Sequence, residues 1–557
     1  MHYTVREKKG DIVSGLLYHR GIQGERAIAD FLSPNYEAHT HDPFLMKDMD
    51  RVVARLYKAV KDGEKIVVFS DYDADGIPGA VVLHDLLKKI GYANFENYIP
   101  HRHDEGFGLN MKAVEGFKEK GMSLIITIDC GIADIEETAK AKELGMDLII
   151  TDHHEPHGTV PDAFAILNPK TDGCMYPEKM LCGSGVIFKL AQAFLKKHGE
   201  EFGVPVGWEK WWLDMVGIAT LSDMVPLVGE NRAFAHYGLK VLRMTKRPGL
   251  LELFSRLRVK PENLTEDDIG FTISPRINAA SRMGEPEHAF LLLSTDDRAV
   301  GATCAERLEE VNNERKGTVA SLVKEVRKIL AERDMDSKNV IVLGNPTWRP
   351  SLMGLVANKL AEEYGKPAFL WGRDGEGVIK GSCRSGAGAS VFAIMEKAHD
   401  AFTGFGGHAA SGGFEVKDDA IHYLEERLEK AWRELDHTNK EVIKYADALI
   451  SVDEVVWDLY KDIERLSPFG TGNARPIFLI KGARVEAVKQ FGKEGNHTEI
   501  TLSDRKGRKL SAIQFFLTKE ALPKNVVPQA LIDIAVHLEK SMFKSYPELR
   551  LRIVDII

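Results

Sequence analysis

Lys65-Ile-Val-Val-Phe-Ser70 runs directly into Asp71-Tyr-Asp73-Ala-Asp75-Gly76, and an amphipathic stretch, Ala80-Val-Val-Leu-His-Asp-Leu-Leu-Lys-Lys-Ile90, follows at once. A short β-rich run that ends in carboxylates and leads into a helix reads as the first half of a βαβ unit. The pattern recurs. Leu124-Ile-Ile-Thr-Ile128 ends in Asp129, with a helical pattern from Ile132 to Leu144, and Leu148-Ile-Ile-Thr151 ends in Asp152-His153-His154. Strands separated by helices pair in parallel, so their carboxyl ends lie along one rim of a sheet. Ligands of such sheets bind at that rim. The expected class is therefore α/β, with a doubly wound parallel sheet. Its rim gathers five aspartates and two histidines, a donor set suited to hard divalent cations.

Working outward, 557 residues leave room for three to five domains. A content of 44% hydrophobic and 28% charged residues is that of a globular chain. No apolar run reaches the roughly 18 residues of a membrane span. Met1-His-Tyr-Thr-Val-Arg-Glu-Lys-Lys-Gly10 lacks the apolar core of a secretion signal. The expected location is the cytoplasm, with no membrane partner. The cysteines at 130, 174, 182, 304 and 383 form no Cys-x-x-Cys pair, which argues against a zinc ribbon, and they imply no disulfide. The total charge of −9 is unevenly placed: from Ala474 to Ile557 fifteen Lys and Arg face nine Asp and Glu, a net of +6, which leaves −15 for the rest. An acidic body with a basic C-terminal module fits a metal site joined to a polyanion-binding surface.

The pattern divides the chain into a small helical lead-in over 1–45, the α/β domain over 46–235, a helical connector over 236–335, a second α/β domain over 336–440 and a β-rich domain over 441–557. Within the connector, Ala302 to Glu332 reads as a solvated spacer helix. The second α/β domain opens at Asn339-Val-Ile-Val-Leu-Gly344 and carries two Gly-rich stretches, Gly381-Ser-Cys-Arg-Ser-Gly386 and Gly404-Phe-Gly-Gly-His408. Short alternating runs with turn signals in the last 80 residues predict a small β-barrel. Its Arg505, Lys506, Arg508 and Lys509 form a basic turn, near Phe515 and Phe516.

In an extended stretch Asp71, Asp73 and Asp75 alternate and point the same way, and Gly76 lets the chain turn behind them. Three carboxylates this close demand a neutralising cation. A calcium-binding EF-hand is excluded, since its twelfth position, a Glu, is here Val82. His153 and His154, beside Asp152 on the same rim, are ligand candidates for manganese, iron or zinc; His157 is set aside as incidental. Asp223 cannot be told from a helix cap by spacing. Two ions held about 3.5–4 Å apart by such carboxylates hydrolyse phosphoesters, and a carboxylate such as Asp129 suits the shared position. Gly-rich backbone lets amides approach a phosphate, with Arg384 and His408 at hand for charge-assisted hydrogen bonds.

Together, Asp71-Tyr-Asp-Ala-Asp-Gly76, Ile128-Asp-Cys-Gly131, Thr151-Asp-His-His154 and Ser222-Asp-Met-Val-Pro-Leu227 resemble the four motifs of the DHH phosphoesterase superfamily. Within it, the chain is most similar to the single-strand-specific 5′→3′ DNA exonucleases. The resemblance extends through His101-Arg-His-Asp-Glu-Gly-Phe-Gly-Leu109, Gly183-Ser-Gly-Val186, Pro275-Arg-Ile-Asn-Ala-Ala-Ser-Arg282, Val311-Asn-Asn-Glu-Arg315, Gly406-Gly-His408 and Pro468-Phe-Gly-Thr-Gly-Asn473. It implies a DHH domain, a long connecting helix, a DHH-associated substrate-binding domain and an OB-like barrel. It implies two Mn²⁺ or Mg²⁺ ions on Asp73, Asp75, Asp129, His153 and Asp223, with Asp129 bridging. Asp71, Asp152 and His154 would support the site, His154 also touching the scissile phosphate. Ser382, Arg384, Ser385 and His408 would grip substrate phosphates, and Arg276, Asn278 and Arg282 would line the cleft. The implied activity releases 5′-mononucleotides from single-stranded DNA in recombination and repair, by a monomer with a helicase and a single-strand-binding protein as partners. Alternatives are a phosphodiesterase of short oligonucleotides or cyclic dinucleotides and a non-catalytic replication scaffold. Arg349, Ser351, Ser281 and Ser222 depart from the family pattern, outside the implied ligand set.

Overall fold

The structure, a computed structural model, describes residues 3–156, 158–386, 388–435, 444–492, 495–542 and 546–557. His157 lies outside them. The chain divides into two compact units: His41–Val225 with Tyr237–Thr438, and Met1–Thr40 with Pro226–His236 and Asn439–Ile557.

The first unit opens on a parallel five-stranded sheet in the order Phe95–Tyr98, Ile66–Ser70, Leu124–Ile128, Asp147–Thr151, Ala165–Leu167. Ile66–Ser70 and Leu124–Ile128 are buried at every position. Helices shield both faces of such a sheet, so its strands read as unbroken apolar runs instead of alternating ones. On one face Val67, Phe69, Ile125 and Ile150 pack with Val114 and Phe117 of the helix Met111–Glu119 and Ala141 of the helix Ile135–Glu143. The helix Gly76–Lys89 packs on the sheet and on the helix Gly183–His198. Strand order reverses between Ile66–Ser70 and Leu124–Ile128, because the second strand in the chain lies outside the first and the third lies inside it. Connections diverge there and open a crevice at the carboxyl ends. Asp71 and Asp129 are the residues that follow those two strands.

The same unit holds a second, mixed sheet in the order Phe402–Gly407, Ser411–Val416, Ile379–Arg384, Ala368–Arg373, Ile341–Gly344. Its last two strands run parallel and the other pairs antiparallel. The helix Arg298–Ala331 is 34 residues long. It is not the solvated spacer that its charge suggests. Cys304, Leu308, Val311, Val319, Val323, Val326 and Leu330 are buried along one face, against the helices Pro248–Leu257, Ser274–Met283, Pro286–Ser294 and Pro350–Tyr364. The stripe is made mostly of small and β-branched residues, with Leu308 and Leu330, among many charges, so it is faint in the sequence.

In the other unit Phe478–Phe491, His497–Ser503, Lys509–Gln514, Glu548–Ile556 and Leu531–Ser541 pair in that order, and the first pairs back with the last. That closes the expected barrel and removes its edges. Val485, Ile500, Leu502, Ala512, Ile534, Val536 and Leu551 fill it. The lead-in is not a separate helical piece. Tyr3–Val5 is a strand paired in parallel with Lys444–Ala446, and Leu16 and Leu17 join the hydrophobic core of this unit. The helix Ile12–His19 has too small an apolar face to form a core of its own.

Candidate metal centre

The acidic stretch after Ser70 is a turn, not the extended alternation expected from sequence. Asp71 still donates its amide to the Ile128 carbonyl at 3.0 Å. The chain then folds over, and Asp73 Oδ1 accepts from the amides of Asp75 at 2.7 Å and Gly76 at 3.1 Å, a side-chain turn just ahead of the helix Gly76–Lys89. Gly76 serves close approach, not a left-handed turn: a Cβ there would lie 2.4 Å from the Asp71 carbonyl oxygen. Asp75 accepts from the amides of Gly183 at 2.6 Å and Ser184 at 2.7 Å, the first turn of the helix Gly183–His198. Unsatisfied amides and the helix dipole stabilise a carboxylate there.

Asp129 leaves its strand with φ 63, its amide bonded to the Thr151 carbonyl at 2.9 Å. His153 Nε2 lies 3.1 Å from Asp129 Oδ1 and 3.8 Å from both Asp75 Oδ2 and Asp223 Oδ2. Asp223 does cap the end of the helix Leu213–Ser222, as the sequence allowed, yet its carboxylate also reaches the cluster and is 29% exposed. Asp152 is occupied by hydrogen bonds. Its Oδ1 accepts from the His153 amide, the His154 amide and His154 Nδ1 at 2.7, 3.1 and 2.7 Å, and its Oδ2 accepts from the Ile132 amide at 3.0 Å. It orients His154.

Three donor sets converge, each within 4.8 Å: Asp71, Asp73 and Asp129; Asp75, His153 and Asp223; Asp129, His153 and His154. Asp129 and His153 each belong to two of them. The donors fit hard or borderline divalent cations. Asp71 Oδ1 and Asp129 Oδ1 are buried and accept no hydrogen bond, the state expected of oxygens that serve an ion. Burial and neighbouring carboxylates push Asp71 and Asp129 well above the usual carboxylate range, Asp75 up to about 6 and Asp223 up to about 8. Burial and the charge of His154 push His153 down to about 3, which keeps its lone pair free. Burial opposes a charge on His154, but the hydrogen bond and charge of Asp152 outweigh it and raise His154 to about 9. Burial likewise opposes a charge on Asp152, yet His154 and the amide donors hold it below the usual range.

Raised carboxylates must lose protons before they ligate, so cation binding releases protons. Mn²⁺ affinity measured by calorimetry should therefore climb as pH rises from 6 to 8, flattening once Asp223, at about 8, is ionised. Binding heats should vary with the ionisation enthalpy of the buffer. A flat pH profile would show the cluster already fully ionised.

Around the acids the structure distributes the other expected residues unequally. Asn278 Oδ1 accepts the Ala74 amide at 3.0 Å and so fixes the acidic turn. Arg282 Nη1 donates to the Ser351 carbonyl at 2.6 Å, and burial with the fields of Arg102, Arg384 and Arg315 pushes it down to about 9. Arg384 donates to the Cys383 carbonyl, and a Cβ on Gly354 would sit 2.8 Å from its Nη2. Ser411 pairs with Arg384 and the Ser385 amide bonds to Ala410, so the hairpin carrying His408 lies beside Arg384 and Ser385, with Ser382 on the same strand. The Ser385 hydroxyl donates to the Ala389 carbonyl at 2.7 Å. Arg276 is occupied elsewhere: Nε meets Glu309 Oε2 at 2.6 Å and Nη1 donates to the Thr272 carbonyl at 2.6 Å. Among the described residues, Arg102, Arg282, Arg315, Arg349 and Arg384 have no carboxylate partner. Arg102 and Arg315 were not singled out from sequence, although both sit inside quoted motifs. Of the departures, Ser351 Oγ donates to the Arg282 carbonyl, Ser222 Oγ meets Ser274 Oγ at 2.5 Å, Ser281 is buried without a hydroxyl partner, and Arg349 caps the helix Pro350–Tyr364 from an exposed position.

Comparison with known proteins matches residues 65–220 to the DHH family N-terminal domain, 337–441 to the DHHA1 domain and 446–555 to the RecJ OB domain. The chain is 35% identical over 547 residues to the single-stranded-DNA-specific exonuclease RecJ of Bacillus subtilis, covering 98% of this chain and 67% of that one. It is 28% identical over 549 residues to the RecJ exonuclease of Haemophilus influenzae, covering 96% and 93%. Among solved structures, RecJ of Thermus thermophilus in complex with Mn²⁺ superposes with a TM-score of 0.80 at 28% identity, over 98% of this chain and 76% of that one.

Proposed function

Since the chain belongs to the RecJ family of single-stranded-DNA-specific exonucleases, we propose that it degrades single-stranded DNA from the 5′ end to 5′-mononucleotides with two Mn²⁺ or Mg²⁺ ions held on the acidic cluster. The observation that carries this is the placing of the carboxylate cluster near arginines that, among the described residues, have no carboxylate partner. A buried or half-buried guanidinium without a carboxylate is costly, and here burial and the fields of three other arginines push Arg282 down, with Asp73 opposing them only in part. The arginines await an anion with several charges, which is what a nucleic-acid backbone supplies.

On this reading Asp73, Asp75, Asp129, His153 and Asp223 hold the ions, with Asp129 common to both. Bound ions supply a hydroxide at neutral pH and stabilise charge on the phosphoryl oxygens. Asp71 adds a carboxylate to the same wall. His154, kept protonated by Asp152, donates a hydrogen bond to a phosphate oxygen. Arg282, Arg384, Ser382, Ser385 and His408 grip neighbouring phosphates, and Asn278 keeps the acidic turn in register. Arg276 instead ties the helix Ser274–Met283 to the helix Arg298–Ala331 through Glu309. The enzyme acts as a cytoplasmic monomer on strands exposed by a helicase and covered by a single-strand-binding protein. Among the described residues no helix is long and apolar enough to cross a membrane.

The test uses 5′-labelled and 3′-labelled strands with Mn²⁺, with and without chelator. Mononucleotides should leave from the 5′ end, and chelation should stop them. Release from the 3′ end would reverse the polarity. Activity confined to substrates of two to five nucleotides would favour the short-oligonucleotide reading, and Mn²⁺ binding without any hydrolysis the scaffold reading.

The barrel adds affinity through its basic turn. Arg508 is held by Asp504 and by the Val452 and Val455 carbonyls, which leaves Lys506 and Lys509 exposed. Replacing both lysines by Ala should weaken single-strand binding and lower the slope of log affinity against log salt by about 1.4, roughly 0.7 for each lysine. An unchanged slope would remove the turn from the interface.

A further inference from the structure

The helix Gly76–Lys89 starts at the acidic cluster, directly after Asp75, and its far end borders a cavity of about 560 Å³. At a rise of about 1.5 Å per residue the two ends of this helix lie about 20 Å apart. The helix Leu213–Ser222 joins the same two places: Asp214 in its first turn lines the cavity, and Asp223 closes its other end. The cavity is therefore separate from the metal centre. Its remaining walls are the short 3₁₀ turn Trp208–Trp212 and the segment from Thr245 to Pro248.

The walls combine aromatic planes with positive charge. In a 3₁₀ turn residues three apart eclipse one another, so Trp208 and Trp211 share one face. Trp212 is buried and anchors the turn, whereas Trp211 is 47% exposed. An exposed indole leaves its hydrophobic stabilisation unrealised. Lys89 Nζ stands 3.5 Å from the centre of the Trp208 ring, a favourable place for an ammonium group. The acids of the cavity are already neutralised. Arg247 holds Asp214 at 2.6 Å and Asp85 at 2.8 Å, and Lys88 meets Asp296 at 3.2 Å. Among the described residues, Lys89 and Lys246 have no carboxylate partner.

We propose that this cavity binds a nucleotide, its base stacked on Trp211 and its phosphate held by Lys89 and Lys246. The volume falls within the roughly 300–1,000 Å³ of small-molecule sites. The ligand that suits these walls has a flat aromatic part and a compact anionic part, and a nucleoside monophosphate joins the two. Every base has a π-face, so the indole holds purines and pyrimidines alike. The two ammonium groups answer the phosphate with charge and set no direction of approach. The activity proposed above would release molecules of this class beside the enzyme, but the site itself stands on the cavity and does not rest on that activity.

The experiment titrates the full chain, loaded with Mn²⁺, with dAMP and follows tryptophan fluorescence together with calorimetric heat. Three of the seven tryptophans line the cavity, so binding there should quench the signal and saturate. Trp211→Ala should weaken the binding about tenfold, and Lys89→Glu combined with Lys246→Glu should weaken it at least as much. Trp211→Phe should stay close to wild type. Mn²⁺ binding should be unchanged in all of them, which separates loss of the site from damage to the fold. Deoxyribose 5-phosphate, which lacks the base, and deoxyadenosine, which lacks the phosphate, should each bind at least about tenfold more weakly than dAMP. Absence of quenching, or an affinity for dAMP that Trp211→Ala leaves unchanged, would overturn the proposal. Quenching that survives Trp211→Ala and disappears with Asp129→Asn would place the nucleotide at the metal centre instead. An acidic peptide ending in phenylalanine that quenches where dAMP does not would give the cavity to a protein partner and overturn the proposal too.

Discussion

Asp129→Asn should leave the protein folded and abolish exonuclease turnover, with a loss of at least about a thousandfold. The backbone reason for choosing Asn is specific. Asp129 holds φ 63, and Asn is among the few residues that tolerate this left-handed region. The size and the bond from the Asp129 amide to Thr151 are preserved. What is lost is an anionic oxygen in a buried position where Asp129 Oδ1 accepts no hydrogen bond and where two donor sets overlap. Removing one carboxylate also relieves repulsion on Asp71 and Asp75, so single-strand binding measured by anisotropy should hold or tighten. Mn²⁺ titration should show weaker binding. Near-normal turnover would mean that Asp129 does not bridge the ions.

The second large effect comes from Gly183→Ala. Gly183 sits at the start of its helix, and its amide holds Asp75 at 2.6 Å. An added Cβ would stand 2.5 Å from Asp129 Oδ1 and 2.7 Å from Asp129 Cγ. These atoms cannot yield cheaply, since Asp129 is fixed by its strand and its left-handed turn. Either the helix withdraws, taking its amide from Asp75, or Asp129 rotates out of both donor sets. We expect turnover to fall about a hundredfold, with a stability loss of about 1–3 kcal/mol in denaturant unfolding. A variant as active as wild type would show that the helix start has slack that the packing does not suggest.

Much of the catalytic layer was legible in the sequence because parallel strands buried on both faces are written as apolar runs, and the residue after each run falls on the rim. Asp71, Asp129 and Asp152 needed no more than that. Asp73 and Asp75 were found for a reason the structure does not support. Their placement comes from a tight turn, in which Asp73 accepts from the amides of Asp75 and Gly76, and not from strand alternation. Other features were not legible. Asp223 shares its sequence context with any helix cap, and its role depends on a helix whose end meets His153 at 3.8 Å. Arg276 and Arg282 occupy the same motif and the same helix, yet one is consumed by Glu309 and the other is left without a carboxylate. Nothing in local spacing separates them. The long helix was read as solvated because charge dominates its composition, whereas its burial depends on what packs against it.

By itself the sequence determined the order of strands and helices, the rim on which the acids fall and, through its motifs, the family. These follow from hydrophobic period and local turn chemistry, which neighbouring residues settle among themselves. Only the tertiary structure decided which carboxylates come together in one donor set and which arginines are left without a carboxylate partner. Those outcomes depend on distances between segments far apart in the chain, and long-range packing sets those distances.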